Sequence, residues 1–515
     1  MVRRVLPGLA VFVPLAAAWL KLRKPSLLNT SGDRPSVLFA RQLPGVGRGS
    51  SKAPKAVAGR TLVARNWRLA RLGARGSRRY AMHRARRVFA SAERKDELDL
   101  SFQLRTAEDV TRELGHMKGA MMKIGQMAGY LDTGLPEPVR QTLASLQHDA
   151  PPMAEELVAK QIQQELGADP EEVFATWDPV PIASASIGQV HRAITHDGLP
   201  VAVKVQYPGV AEAVRSDLGN ADWIFGGLAA MFPSVDPEPI VAEIKDRLLE
   251  ELDYVNEANN QRHFHEYFDG HPYIHVPAVI DEYSTAQVLT SDLAVGFRFA
   301  DALTWSQAEK DRLAETLFRF SFGAIYRLNA FNGDPHPGNY LFNPDGRVTF
   351  LDFGLVKRFD DAETLLFENL IQKMVLERDK DGFRELVEET GILAPNAPFT
   401  TDEVDDYFQY FYRYVLVDGD VTLDAEYSAA GVKHLFNASG SHGELTKHLN
   451  VPPSLVVAQR ITLGLMGLFA QLEATANWQG IGKEIWRSVS APPSTPMGEE
   501  IAAWRESRGE EYGGL

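Results

Sequence analysis

Apolar residues at helical spacing fill long stretches of this chain, and shorter apolar runs bounded by turn residues separate them. From Leu104 to Leu131, Met117, Met121, Ile124 and Ala128 stand 4, 3 and 4 apart, which predicts a helix. Helices are also expected over Pro151–Leu166, Pro239–Phe268, Ser306–Asn329 and Val456–Leu472. The last is apolar but interrupted by Gln459 and Arg460, so it reads as a buried helix and not a spanning one. Pro181–Ala193 and Val201–Val205 read as strands around a turn at His196-Asp197-Gly198, and Gln287–Thr290 as a third strand. Tyr340–Phe342 and Val348–Leu351 flank Asn343-Pro344-Asp345-Gly346, a β-hairpin signal. After Lys357 the chain reads as helical to its end, with loops at Pro395–Asp402 and Gly440–Pro453. The result is an α+β chain whose 515 residues suffice for several domains or one large two-lobed domain.

The hairpin concentrates the chemistry. Asp334 precedes it, Asn339 follows five residues later, and Asp352 heads Asp352-Phe353-Gly354 at its exit. Mg²⁺ takes oxygen ligands in near-octahedral geometry, so Asn339 and Asp352 at the two ends of one short hairpin are candidate metal ligands. Asp334 is left to orient or deprotonate a nucleophile. A D-x4-N spacing followed by D-F-G is the arrangement of the protein-kinase fold.

Upstream elements fit the same ATP chemistry. The loop Ala183-Ser184-Ala185-Ser186 stands where a kinase lays a Gly-rich loop over phosphates, with Gly188 its only glycine. Lys204, in Val-Ala-Val-Lys, is the candidate for the α- and β-phosphates, and Glu257 is its candidate ion-pair partner. Asp253 and Glu257, four apart, are expected on one helix face, with Glu251 pointing elsewhere. Ser291, Asp292, Leu293 and Ala294 occupy the expected inter-lobe hinge, where backbone groups would meet adenine.

Charge adds a second feature. The net charge is −14, yet residues 1–95 hold 22 Lys and Arg against Asp33 and Glu93, a balance of +20 beside −34 for the remainder. A basic arm of this kind suits anionic lipid, nucleic acid or the acidic body itself. Val5–Leu20 is a 16-residue apolar run, short for a membrane helix, and contains Pro7 and Pro14. It fits a membrane anchor or an organelle transit segment, and a signal peptide cleaved near Ala16-Ala17-Ala18 is the other reading. Arg60–Arg87 reads as a basic amphipathic helix on a membrane surface. No nucleic-acid motif supports that partner. The chain has no cysteine, which excludes disulfides, thiol catalysis and thiolate metal sites.

One family shows these residues in this order. Lys123-Ile124-Gly125-Gln126, the Ala-Ser-Ala-Ser loop, Lys204, Glu251-x-Asp253, Glu257, Asp334-Pro335-His336-Pro337-Gly338-Asn339 and Asp352-Phe353-Gly354 resemble the UbiB/AarF atypical kinases, a coenzyme Q biosynthesis kinase-like family. The resemblance covers about residues 100–400. It implies a protein-kinase-like two-lobe fold with an N-terminal helical extension and a helical C-terminal region. The expected division is a basic, partly disordered or membrane-associating segment 1–95, a helical extension 96–170, an N-lobe 171–294 and a C-lobe 295–515. It also implies that the helix bearing Lys123, Gly125 and Gln126 folds over the active site. There Lys123 would meet Glu251 and Asp253 and block peptide substrates. The expected function is MgATP-dependent ATPase or kinase action supporting isoprenoid-quinone biosynthesis at a membrane, with ATP and Mg²⁺ bound and a lipid or quinone precursor as partner. A non-catalytic, nucleotide-dependent scaffold is the rival. A conventional protein kinase fits poorly, because the Gly-rich loop and an Ala-Pro-Glu after Asp352-Phe353-Gly354 are missing. The expected location is cytoplasm or organelle matrix, peripheral to a membrane, with a homodimer left open. The chain departs from the family at Asn332-Gly333, where His-Ala is expected, and lacks the paired C-terminal membrane helices of some members.

Overall fold

The computed structural model describes residues 153–185, 187–211, 249–250, 252–436 and 440–509. The Lys123, Gly125 and Gln126 helix, the basic segment 1–95, Ser186 and Glu251 lie outside the described residues. The strands are β1 (Thr176–Trp177), β2 (Ala183–Ser184), β3 (Gly188–Ile194), β4 (Pro200–Gln206), β5 (Ile274–His275) and β6 (Val288–Asp292). They continue with β7 (Ala330–Asn332), β8 (Tyr340–Phe342), β9 (Val348–Phe350), β10 (Val356–Arg358), β11 (Val421–Leu423) and β12 (Ala474–Ala476). The first helices are α1 (Glu155–Leu166), α2 (Pro170–Val173), α3 (Tyr254–Phe268), α4 (Phe299–Ala302), α5 (Gln307–Leu328) and α6 (Asp361–Ile371). The remainder are α7 (Lys380–Glu389), α8 (Thr401–Tyr412), α9 (Ala425–Phe436), α10 (Gly440–Leu445), α11 (Pro453–Leu472), α12 (Trp478–Ile485) and α13 (Pro496–Ser507).

The described residues divide into two compact units. One runs to Asn259 and adds Ala278–Leu293; the other takes Asn260–Pro277 and everything from Ala294. In the first, an antiparallel sheet runs β1-β3-β4-β6, with β2 paired to β3. The alternation in Val201-Ala202-Val203-Lys204-Val205 places three valines on one face, each fully buried in a core with Val158 and Ile162 of α1 and Phe174. Burying each contributes about 1.5–3 kcal/mol. Ala202 and Lys204 fall on the other face. The glycine at 188 has a local cause: a Cβ there would collide with the Val205 carbonyl and meet the Tyr254 hydroxyl.

The sequence predicts one helix over Pro239–Phe268. Instead α3 begins at Tyr254, because Asp253 stays outside it and its Oδ1 accepts the Asn256 N–H at 2.9 Å. That is an N-cap, which satisfies a donor the first helical turn leaves over. The shared helix face expected for Asp253 and Glu257 is therefore corrected.

The second unit is mostly helical and is built around α5. Ser306 caps it and Glu309 returns the bond to the Ser306 N–H, while Asn329 ends it in the left-handed region at φ 48°. The predicted hairpin forms as β8 and β9, with the Gly346 N–H on the Asn343 carbonyl at 3.0 Å and Gly346 at φ 96°. An aromatic core fills the space between helix and hairpin; Phe320 of α5 stacks on Phe350 of β9. Three expectations for the C-terminal half change. Residues Gly440–Leu445 are helical where a loop is predicted, and α8 starts at Thr401 inside the predicted loop Pro395–Asp402. The short pairs β7–β10 and β11–β12 interrupt the helical run. By length and composition α11 could cross a membrane, and only 35% of that apolar window is buried. The expectation of a buried helix is met in part.

Candidate functional site

Each unit presents one group of polar side chains. In the first, β4 sits between β3 and β6, with Lys204 opposite Val190 and Leu289. Lys204 Nζ lies 2.6 Å from Glu257 Oε1 and 2.8 Å from Oε2. It also lies 5.0 Å from the centre of the Tyr254 ring. Glu257 keeps 3% of its side chain exposed and Lys204 keeps 19%. The carboxylate is thus fixed and shielded, while part of the ammonium reaches solvent.

Of the small-residue loop, Ala183, Ser184 and Ala185 are described. Ala183 and Ser184 are paired with Val190 and Gln189, and the Ala185 N–H donates to the Gly188 carbonyl at 2.9 Å. Ala183 and Ser184 are exposed strand residues, where a loop was expected. At the hinge, Ser291 and Asp292 remain in β6, and Leu293 and Ala294 stand on either side of the division between the units. The Asp292 N–H is spent on the Ala278 carbonyl and the Leu293 N–H on the Pro200 carbonyl. These two donors are therefore engaged within the sheet unit.

In the second unit, β7 ends at Asn332 and the chain turns through Gly333 to Asp334. Asn339 closes a short 3-10 turn, Pro337–Asn339, and its Nδ2 donates to Asp334 Oδ2 at 3.1 Å and to the Asp334 carbonyl at 3.2 Å. That leaves the Asn339 Oδ1 end for another partner. The Leu351 N–H binds the Asn339 carbonyl at 2.9 Å, so the chain leaving β9 returns to Asn339 just before Asp352. Asp352 Oδ1 accepts the Gly354 N–H at 3.0 Å. One amide oxygen and one carboxylate on a rigid hairpin form a hard-oxygen donor set suited to Mg²⁺. Among the described residues no group of three or more His, Cys, Asp or Glu could hold a metal. A cation here would complete its shell with phosphate and water oxygens, as Mg²⁺ commonly does.

Two neighbours were not assigned roles from sequence. Asn332, 6% exposed, donates its Nδ2 to the Asp352 carbonyl at 2.8 Å and accepts the Asp334 N–H at 3.2 Å. It ties the Asp334 turn to the Asp352 turn, and its only sequence signal was the departure from histidine. Asn260 of α3 donates to the Phe353 carbonyl at 3.1 Å and accepts from Arg358. Phe353 itself is fully buried against Phe264.

A sheet unit with an internal Lys–Glu pair and a helical unit with an Asp–Asn–Asp hairpin define a protein-kinase-like protein. The comparisons agree with that class. Residues 145–387 match the ABC1 atypical kinase-like domain. That stretch carries an atypical kinase domain of the ABC1/UbiB type, similar to that of curated COQ8 and AarF domain-containing kinases. The chain is 33% identical over 283 residues to the rat protein "Atypical kinase COQ8B, mitochondrial", covering 53% of this chain and 52% of the relative. It is 30% identical over 287 residues to "Atypical kinase COQ8, mitochondrial" of Saccharomyces cerevisiae, covering 55% and 57%. The chain thus spans about half the length of the curated relatives it matches. Among solved structures, Rv3197 of Mycobacterium tuberculosis in its complex with erythromycin superposes with a TM-score of 0.56 at 28% identity, over 76% of this chain and 98% of the other.

Proposed function

We propose that this chain is an ATP-dependent atypical kinase or ATPase. Lys204, held by Glu257, neutralises the α- and β-phosphates of ATP. Asn339 and Asp352 would hold Mg²⁺, which would supply positive charge beside the phosphates. Asp334 orients a water or a lipid-like hydroxyl for in-line attack on the γ-phosphorus and takes its proton as the bond to ADP breaks. The chain's own contribution is positioning and charge placement. The observation that supports this reading is the Asn339 amide, whose Nδ2 donates to Asp334 and so leaves its oxygen end available to a cation.

Support of isoprenoid-quinone biosynthesis at a membrane is suggested by the resemblance to the COQ8 relatives, whose names place them in mitochondria. The lipid or quinone partner, peripheral membrane binding through segment 1–95, and a gating contact between Lys123 and Glu251 or Asp253 belong to the same proposal.

The test is phosphate release from MgATP by the full chain, with and without anionic vesicles. Asp334→Asn should lower turnover by about two to four orders of magnitude, the range for general-base catalysis. Its affinity for MgATP should stay near that of the parent. Unchanged turnover removes Asp334 from the reaction. Tight nucleotide binding with no turnover under any condition turns the assignment to a nucleotide-dependent scaffold.

A further inference from the structure

A cavity of about 170 Å³ opens in the helical unit, with a lining distinct from the residues of the Asp334–Asp352 hairpin. Its walls include Phe318 and Phe322 of α5, Phe408 of α8, Tyr427 of α9, and Ala458 and Met466 of α11. Protein interiors keep few voids larger than a water. An apolar cavity of about 150 Å³ stays dry and accepts a single aromatic ring. The walls here are mainly aromatic, and a methionine thioether adds a polarisable contact that favours rings.

One polar group in the lining lacks an acceptor. The Tyr427 hydroxyl is buried, and although the Arg413 guanidinium lies beside it, that group can only donate, so no acceptor meets the hydroxyl proton. Burial pushes its pKa up to about 12 against the lowering influence of Arg413, so it keeps its proton and remains a donor. The neighbouring cation is already engaged. Arg413 lies 3.6 Å from the Tyr427 ring centre and 4.3 Å from that of Tyr410. It donates to the Tyr410 hydroxyl at 2.9 Å and to the Tyr427 carbonyl. An anionic head group would compete for a guanidinium already committed to these partners. A plain alkyl chain would fill the space but leave the buried donor unpaired, which is the costly state for a polar group.

We propose that this cavity binds a small, uncharged, ring-bearing molecule carrying one acceptor oxygen, of the aryl ketone or aryl ether class, with the Tyr427 hydroxyl donating to that oxygen. The inference is independent of the nucleotide reading.

Acetophenone supplies the test, since it is a single-ring aryl ketone whose irradiated carbonyl abstracts hydrogen from C–H bonds and couples to the carbon left behind. Irradiated with the full chain, it should label saturably, and mass spectrometry should place the adducts on peptides spanning 408–428 and 455–466. Ala458→Trp fills the cavity from α11 and should abolish that labelling while the melting temperature holds or rises. If this variant fails to melt cooperatively, Ser428→Phe fills the site from α9 instead. Tyr427→Phe should weaken acetophenone binding about five- to tenfold, the worth of one neutral hydrogen bond. It should leave binding of ethylbenzene, the hydrocarbon of similar shape, unchanged. Labelling that does not saturate, that scatters over the surface, or that survives in the filled variant overturns the site. Equal weakening of both probes, or of neither, overturns the donor role of Tyr427.

Discussion

Asn332 lies between two residues that the proposed reaction needs. Its amide holds the Asp352 carbonyl on one side and the Asp334 N–H on the other, so it fixes the spacing of two turns separated by 18 residues in sequence. Asn332→Ala removes both bonds. A neutral hydrogen bond contributes about 1 kcal/mol, and about 1.4 kcal/mol is a tenfold change in rate. We therefore expect phosphate release to fall about tenfold, with MgATP affinity little changed, because Asn332 is not among the proposed ligands. Steady-state turnover beside a nucleotide-binding titration checks this, and parental turnover would dismiss the link. The contrast with its neighbours shows what sequence can hold at this scale. Asp334, Asn339 and Asp352 are legible because their relation is local: a fixed spacing, a hairpin and a turn. Asn332 shows only as a departure from an expected histidine. Asn260 is silent, since its partner Phe353 lies 93 residues away and nothing in its surroundings marks the contact.

At the scale of elements, α3 joins two roles: its first turn is capped by Asp253 and then presents Glu257 to Lys204. Glu257→Gln withdraws a shielded carboxylate from an ammonium. It should cost about 3 kcal/mol, the low end for breaking a buried pair, because Lys204 keeps 19% of its side chain exposed. Chemical denaturation reads that loss, and a difference below measurement error would show that the pair serves binding only. Asp253 poses a sharper choice, since the family resemblance makes it a gate for Lys123 while the structure makes it a helix cap. Asp253→Ala should lose about 1 kcal/mol of stability, and Asp253→Asn should keep the cap. If Asp253→Asn alters turnover at parental stability, the charge has a gating role; if it changes nothing, capping is its whole contribution. The predicted elements that hold are those with local signals. Helix α5 carries its own capping box, and the hairpin carries its own turn residues. Those misread depend on distant partners: β11 is three residues long and exists because β12, some 50 residues later, pairs with it. The same holds for Arg319 of α5, 5% exposed, which bonds Glu315, Glu484 of α12 and Thr495, a buried network joined across more than 160 residues.

For the whole molecule, the order and spacing of the motifs, with the family resemblance they carry, implied an α+β kinase-like fold. The sequence could not indicate how the helical unit responds to acid, which depends on packing. His271 follows α3, and its Nδ1 accepts the Tyr273 N–H at 3.1 Å and the Ile274 N–H at 2.8 Å, fixing the start of β5. Its ring meets Trp504 of α13 edge-on, at 4.6 Å between centres. Burial, with the charges of Arg505 and Arg319 adding to it, lowers its pKa from 6.5 to about 3. Burial also lowers that of His191, against the raising influence of Asp178. Between about pH 3 and 6.5 the unfolded chain binds a proton at His271 that the folded chain refuses. Stability should therefore be full above pH 6.5 and fall as pH drops through that window. One such group sets a slope of at most about 1.4 kcal/mol per pH unit. Protonating Nδ1 would also break both backbone bonds, so the loss should centre on the helical unit. His271→Asn can accept from the same N–H groups but does not titrate. Urea midpoints from pH 7.5 to 4.5 should decline less steeply for that variant than for the parent. Parallel declines would assign the acid sensitivity to other groups and leave His271 a packing residue.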